Sequence, residues 1–371
     1  MNIKSDYLNK NIVLEGCNGE WSQRHYLPLL VNKAARGDIK LWAIDVEDEI
    51  KLKDPQIRKS YEIAQSHHKA HYLNKIKHEQ SYKGFSDATY VFIVTPDQYH
   101  SQIAEFWLGR LAPKGKIFIE KPLDASMRSA LKLRQNIKER NKEDAVFVFS
   151  HYLARAQPFL QDINRNLDQI GKVERIEFHI LESATIPLNR AKALNKGVIF
   201  DLFGHILALS GALIERNLTC SKSILQRAKL REVKAAQYLG CPTAGEAFSR
   251  IKFAFDNVEV ISLIGKALRD EKVMIVYGSN GVTKLDFLSN TFLVFDHQGE
   301  PKSQGQLNPR HVESFLEEII DKDKQPISVP GVLDFDAGIE ILAILDKAKM
   351  RIEKIVDYQV GESTDSILTR L

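Results

Sequence analysis

Cysteine is scarce in this 371-residue chain. The three present, Cys17, Cys220 and Cys241, are odd in number and include no close-spaced pair, which excludes a disulfide framework or a zinc cluster and points to a reducing, cytoplasmic setting. Long hydrophobic runs are missing too. No window approaches the ~20 apolar residues of a membrane span, and Met1 to Lys10 is polar, without the apolar centre of a signal peptide. Charge of one sign is not in excess. A formal net charge of +4 is too small at this length to argue for nucleic acid or an acidic membrane surface as a partner. What remains is 44% hydrophobic and 27% charged, the balance of a soluble globular protein. The length allows two domains of ~100–200 residues each.

The stretch Lys116-Ile117-Phe118-Ile119-Glu120-Lys121-Pro122-Leu123 predicts a buried strand that delivers two ionisable groups to its carboxyl end. Open α/β sheets bind ligands at such ends. Pro122 biases Lys121 toward extended backbone and stops the strand, and partial desolvation of a lysine there would let it join proton traffic. The same unit repeats along the first half. Asn11 to Glu15, Thr89 to Val94 and Ala145 to Ser150 read as further strands, and helices are expected over Ser101 to Leu111 and Ser126 to Arg140. Short connections between alternating strands and helices require right-handed crossovers and a parallel sheet. Residues 1–150 are therefore expected to form one doubly wound domain.

After the first strand comes Gly16-Cys17-Asn18-Gly19-Glu20-Trp21-Ser22, then a helical pattern through Arg36. Glycines at 16 and 19 permit a tight turn and close approach of backbone amides to a pyrophosphate. The strict G-x-G-x-x-G pattern would place glycine at 18 and a small residue at 21, where Asn18 and Trp21 stand. A second strand, Ile39 to Ile44, ends at Asp45, the right distance on to accept hydrogen bonds from an adenosine ribose. That favours NAD over NADP, because a carboxylate repels a 2′-phosphate, although Arg24 keeps NADP open. Residues 51–82 read as polar and helical. His67 and His71 have i,i+4 spacing, but no carboxylate or cysteine completes a ligand set, so no metal is expected.

The second half changes character. Strands are expected at Val173 to Leu181, Ile224 to Val233, Phe248 to Phe255, Glu259 to Ile264, Lys272 to Tyr277 and Thr291 to Phe295. Turn signals such as Asp256-Asn257 and Ser279-Asn280-Gly281 imply mainly antiparallel pairing. Helices are expected near Pro158 to Leu167, Val198 to Gly211, His311 to Ile320 and Ala337 to Ile355. Residues 151–371 are thus an α+β domain on a large open sheet. Asp201 and His205, four apart in a helix, share one face. A histidine held by a carboxylate can act as general base for a hydroxyl; a local ion pair is the plainer alternative.

Thr95-Pro96 followed by His100, Glu120-Lys121-Pro122, the run Tyr152, Arg155 and Pro158 leading to Gly171-Lys172-Val173, and Asp201 with His205 together resemble the Gfo/Idh/MocA family, the relatives of glucose-fructose oxidoreductase and inositol dehydrogenase. Tyr277 to Val282 and Val312 to Phe315 fall where that family has a glycine turn and a late helix, so the resemblance spans essentially the whole chain. It implies a Rossmann domain, a nicotinamide cofactor, and oxidation or reduction of a sugar or cyclitol carbon. By resemblance Lys121, Asp201 and His205 are the catalytic group. Gly16, Cys17, Asn18, Gly19, Trp21, Arg24, Asp45, Thr95, Pro96, His100, Glu120 and Lys121 would hold the cofactor, and Tyr152, Arg155, Asp201 and His205 the substrate. The glycine turn with Arg24 and the His151-Tyr152-Leu153 run is also similar to glucose-6-phosphate dehydrogenase, whose pattern has aspartate where Ser150 stands.

The reaction these residues imply is hydride transfer between nicotinamide C4 and a secondary carbinol carbon. His205 accepts the hydroxyl proton, Asp201 orients His205, and Lys121 stabilises charge on the oxygen, with the roles of Lys121 and His205 open to exchange. Arg155, Arg190, Lys192 and Lys196 would border the cleft and suit a phosphorylated or nucleotide-linked sugar. An open sheet face in a soluble protein is usually covered, and the resemblance implies a homodimer or homotetramer through it. Two other classes fit the fold: a dinucleotide-binding sensor without catalysis, and a reductase of a tetrapyrrole or an imine.

Overall fold

The first sheet contains β1 (Lys10–Glu15), β2 (Ile39–Asp45), β3 (Ala70–Asn74), β4 (Ala88–Ile93), β5 (Leu111–Glu120) and β6 (Val146–Phe149); β1, β4, β6 and the end of β5 bury successive residues instead of alternating ones, the mark of strands covered on both faces. In this computed structural model, which describes residues 10–183, 196–239, 245–359 and 361–371, neighbouring strands among them pair in parallel, in the order β6-β5-β4-β1-β2-β3. Read from the other edge, that is the 3-2-1-4-5-6 order of a dinucleotide-binding fold. The order reverses direction between β1 and β4, so the carboxyl ends of those two strands flank the crevice where ligands bind. Arg190, Lys192 and Cys241 lie outside the described residues.

The chain divides into two compact units, residues 1–149 with 312–321, and residues 150–311 with 322–371. In the first, helix His311–Ile320 contributes Phe315, whose ring meets Phe92, Phe118 and Phe149 on three successive strands. The sequence-distant helix is therefore part of this unit's aromatic core.

The second unit is built on a nine-stranded sheet. Its strands are β7 (Val173–Leu181), β8 (Ala228–Tyr238), β9 (Phe248–Phe255), β10 (Val258–Gly265), β11 (Glu271–Gly278), β12 (Gly281–Asp286), β13 (Thr291–Asp296), β14 (Pro301–Gln306) and β16 (Ile355–Tyr358); a short β15 is Val332–Asp334. The order is β14-β13-β12-β11-β7-β10-β9-β8-β16. Most neighbours are antiparallel, as the turn signals predicted, but β10 runs parallel to β7 and β16 parallel to β8. Helix Gly204–Glu215 is buried at every residue from Gly204 to Leu213. Its sequence, apolar all round, fits a helix enclosed by protein.

Several boundaries differ from expectation. Residues 51–82 are not all helix: Pro55–Ser66 is helical, capped by the Asp54 side chain, and is followed by strand β3. His71 lies in that strand and His67 at the helix end, so the two do not share a helix face. Ile224 opens no strand, because Ser221 caps a short helix Lys222–Gln226 before β8. β12 and β14 carry too few apolar residues to stand out, and the helix expected through Ile355 ends at Met350 ahead of β16.

Candidate functional site

Gly16 sits immediately after β1 at φ +80°, a conformation that favours glycine. A Cβ there would lie 2.8 Å from Val94 O and 2.9 Å from Thr95 Cγ2, so glycine is required by space as well as by conformation. The Gly16 amide donates to Ile44 O at 2.9 Å, which ties the turn to the end of β2. Asp45 Oδ2 accepts the Asn18 amide at 2.9 Å and Oδ1 accepts the Val46 amide at 2.7 Å. Asn18 in turn reaches Glu49 O and receives the Lys51 amide. Asn18 therefore fastens the loop after β2 onto the glycine turn. Cys17 is buried, and burial first, then the Asp45 and Glu15 carboxylates, push its thiol up. Arg24 makes an exposed i,i+4 pair with Glu20 at 3.5 Å.

Trp21, where a small residue was expected, donates its indole N–H to Glu120 Oε1 at 3.2 Å, and Tyr26 donates its hydroxyl to the same oxygen at 2.6 Å. Burial pushes the Glu120 carboxyl up, against the lowering effect of these two bonds. Lys121 is partly buried and follows directly, with its amide donating to Phe149 O at 3.3 Å. The peptide bond to Pro122 is cis. His100, at the start of helix His100–Leu108, places Nδ1 2.9 Å from Pro122 O and Nε2 2.7 Å from Thr95 O. It joins the Thr95-Pro96 turn to the Glu-Lys-Pro turn. Residues distant in sequence from the glycine turn thus join it through β4 and β5, so Gly16, Asn18, Trp21, Asp45, Thr95, His100, Glu120 and Lys121 share the carboxyl end of one sheet.

In the second unit Asp201 lies in a π-helical turn, Ile199–Phe203, that leads into helix Gly204–Glu215. Such turns recur at functional sites. The turn is held from below by Glu246, which accepts the Ile199 amide at 3.1 Å and pairs with Lys349. Gly197, at φ +73°, leaves the room that Glu246 fills, since a Cβ would lie 2.4 Å from its carboxyl carbon. Asp201 Oδ2 is 3.0 Å from Lys266 Nζ. Lys266 is 4% exposed and also pairs with Glu182, whose other oxygen receives Lys272 Nζ at 3.0 Å. Burial alone would push the Lys266 amine down, but the Asp201 and Glu182 carboxylates reverse that and hold it above its ordinary value. Burial likewise raises Glu182, and the Lys266 and Lys272 ammoniums bring it below the usual carboxylate range.

His205 is 2% exposed. Its Nδ1 is 2.9 Å from Ser150 Oγ, and its ring stands 4.0 Å from that of His151 and 5.0 Å from that of Tyr152. Tyr152 is buried beside it, and burial, then the Glu182 charge, raises its phenol. Arg155 points to the β12–β13 connection: Nε donates to Asn290 Oδ1 at 2.9 Å, and the guanidinium also bonds Phe287 O. Lys196, the remaining described member of the basic set, stacks over Phe200 and lies 3.8 Å from Asp346.

The sequence reading did not single out Lys266, Glu182, Glu246 or Tyr26. Lys266 carried a signal equal to that of Lys121, a lysine directly after the apolar strand Val258–Gly265. Glu182, Glu246 and Tyr26 carried none, because their partners are distant in sequence.

Residues 56–157 match the family model described as glucose-6-phosphate dehydrogenase, NAD binding domain. This stretch resembles a nicotinamide-dinucleotide-binding domain. The matched residues begin after the glycine turn and end just past the His151-Tyr152 run. No curated protein matches the chain by sequence. Among solved structures, glucose-6-phosphate 1-dehydrogenase from Mycobacterium avium superposes with a TM-score of 0.70 at 15% identity, over 95% of this chain and 94% of that one. A glucose-6-phosphate dehydrogenase in complex with glucose-6-phosphate gives 0.71 at 14% identity, over 100% and 98%. A 3-ketoreductase from Actinomadura kijaniata with NADP gives 0.66 at 10% identity, over 94% and 98%. The Rossmann sheet followed by a large mainly antiparallel sheet is the fold these proteins share with this chain. It is the fold expected from the sequence, with a glucose-6-phosphate dehydrogenase likeness over residues 56–157.

Proposed function

We propose that the protein is an NAD(P)-dependent oxidoreductase acting on a secondary alcohol or ketone carbon of a sugar, sugar phosphate or cyclitol. The observation that carries this reading is the glycine turn at the crossover of a 3-2-1-4-5-6 sheet, in a chain whose residues 56–157 match an NAD-binding domain. The residues present fit a dinucleotide. Gly16 admits no side chain, and Thr95 Oγ1, beside it, is buried without a hydrogen-bond partner among the described residues. Gly16, Cys17, Asn18 and Gly19 would line the pyrophosphate, Asp45 would accept from the adenosine ribose, and Thr95, Pro96, His100 and Glu120 would back the nicotinamide half. NAD is the favoured form because Asp45 would face a 2′-phosphate with a carboxylate; Arg24 on the next helix would draw NADP.

Bound there, the nicotinamide supplies hydride donor or acceptor chemistry. The chain's own residues manage the proton and the charge. His205 takes the hydroxyl proton as the carbonyl forms and returns it in the reverse direction. Lys121 stabilises charge on the same oxygen. Asp201, paired with Lys266, and Tyr152 bind substrate hydroxyls. Arg155, through its bonds to Asn290 and Phe287, fixes the β12–β13 connection as a wall. Residues 1–150 form the dinucleotide domain and 151–371 the substrate and oligomerisation domain, in a cytoplasmic homodimer or homotetramer.

Two neighbours in fold suggest the first substrates to try, since one structure contains glucose-6-phosphate and the other belongs to a ketoreductase. Reduced-nicotinamide absorbance followed with glucose-6-phosphate, other sugar phosphates, free sugars and cyclitols, each with NAD and NADP, tests the reading. Turnover with any of these supports it. Dinucleotide binding without turnover on the whole panel would favour the sensor.

A further inference from the structure

Ser150 occupies the N-cap position of the short helix His151–Arg155 with extended backbone, φ −115° and ψ 104°, yet its hydroxyl makes no capping bond. Serine there would ordinarily accept from a first-turn amide. Its backbone is fixed on both sides, the amide donating to Gly331 O at 2.8 Å and the carbonyl accepting the Ala154 amide at 3.1 Å. The hydroxyl instead lies 2.9 Å from His205 Nδ1, and both residues are almost fully buried. A cap that is forgone at the cost of helix stability, in favour of a bond to a buried imidazole 55 residues away, marks the hydroxyl's task.

We infer that Ser150 is the positioning residue of His205: it accepts the Nδ1 proton, and thereby assigns proton exchange with substrate to Nε2. The inference rests on the oxidoreductase reading for its catalytic consequence, but the tautomer it specifies belongs to the protein alone. A neutral imidazole has one N–H, so fixing it at Nδ1 leaves the lone pair on Nε2 as the base. Asp201, the residue expected to do this, has its Oδ2 on Lys266. A hydroxyl differs from a carboxylate at this position in one respect. It orients the ring without adding negative charge, so the imidazolium formed during turnover gains no direct counter-ion from Ser150. Among the described residues, the titratable groups beside His205 include His151 and Tyr152 on the helix Ser150 begins, with His311 next to His151 at 5.7 Å between ring centroids; Asp201, in the turn that leads into the His205 helix, is paired with Lys266, which also holds Glu182.

The test is nitrogen NMR of the full-length protein labelled at histidine, with the His205 signals assigned through His205→Gln, alongside pH profiles of turnover on the best sugar found above. The expected wild-type result is a neutral His205 with protonated Nδ1 and bare Nε2. Ser150→Ala should abolish that preference and lower kcat about tenfold, the worth of one net hydrogen bond, with KM little changed, and Ser150→Thr should restore both. Ser150→Asp should move the His205 titration, and the acidic limb of the kcat profile with it, about one unit or more to higher pH. A wild-type His205 protonated at Nε2, or a tautomer and midpoint indifferent to Ser150→Ala, would overturn the inference. Lack of turnover in the wild type would defeat the oxidoreductase reading, while the NMR result would still decide what Ser150 does.

Discussion

Each unit contains a lysine set directly after an apolar strand and a largely buried glutamate nearby, and the two units use them in opposite ways. At the end of β5, Glu120 is held by neutral donors, the indole of Trp21 and the phenol of Tyr26, and its carboxyl is pushed up by burial. Lys121 beside it is only partly buried. After β7, Glu182 is held by two ammoniums, and its carboxyl is brought down despite burial. Lys266 is sealed between Glu182 and Asp201. Desolvation acts on both glutamates alike; the sign of the net shift is decided by whether the partner carries charge. A lysine clamped by two carboxylates keeps its proton, and its work is to hold Asp201 in place. Lys121 is the lysine proposed above to act on the substrate oxygen.

The two lysines should respond differently to substitution. Lys121→Ala should lower kcat by about 10²–10⁴, the range for a residue in acid–base chemistry, with dinucleotide affinity little changed; calorimetry beside steady-state kinetics separates the two. Unaltered turnover would remove Lys121 from the chemistry. Lys266→Met should act on stability, costing about 3–5 kcal/mol because it leaves Glu182 and Asp201 without their shared counter-charge, read as a lower urea midpoint for the second unit. Gly16→Ala should cost about 1–3 kcal/mol, since it forces a side chain into left-handed backbone against Val94 O, and should weaken dinucleotide binding as well.

The smallest effects sharpen the comparison through pH. Glu182 has a depressed folded pKa, so its contribution to stability is present above the unfolded value of about 4.3 and is lost as pH falls through the folded one. Lys266, raised, contributes below about 10.4 and loses that contribution as pH rises through its folded value. Glu120, raised, behaves the other way from Glu182: its contribution is present below about 4.3 and is lost as pH rises through its folded value. Glu182→Gln should therefore destabilise near neutral pH, by about 1–3 kcal/mol, while Glu120→Gln should be within about 1 kcal/mol of wild type and relatively more stable as pH rises. Denaturation midpoints of both variants across pH, moving in the same direction, would show that the two carboxylates do not differ as described.

The parts of the fold legible in the sequence were those written in local pattern. β1, β4 and the end of β5 are apolar runs closed by glycine, threonine-proline or glutamate-lysine-proline, and all three appear where expected. β3 was hidden because its sequence Ala-His-Tyr-Leu-Asn is short and flanked by histidines and lysines. β14, Pro-Lys-Ser-Gln-Gly-Gln, has no apolar face at all, as an edge strand can afford. Among candidate site residues, Gly16 and Asp45 could be read from spacing, since strand, turn and strand are consecutive. The partners of Asp201 and His205 could not. Lys266 comes from a strand 65 positions later and Ser150 from the turn after β6, and only the folded sheet brings either within reach. Trp21 was read as a fault in the glycine pattern; its indole holds Glu120.

Calorimetric titration of the purified protein with NAD, NADH, NADP and NADPH tests the central claim most directly. Micromolar binding of one oxidised and reduced pair is expected, the NAD pair if Asp45 governs the ribose and the NADP pair if Arg24 does. Binding of none of the four would contradict the claim. Asn18 and Trp21 would then have closed the phosphate turn, and the fold would serve another ligand.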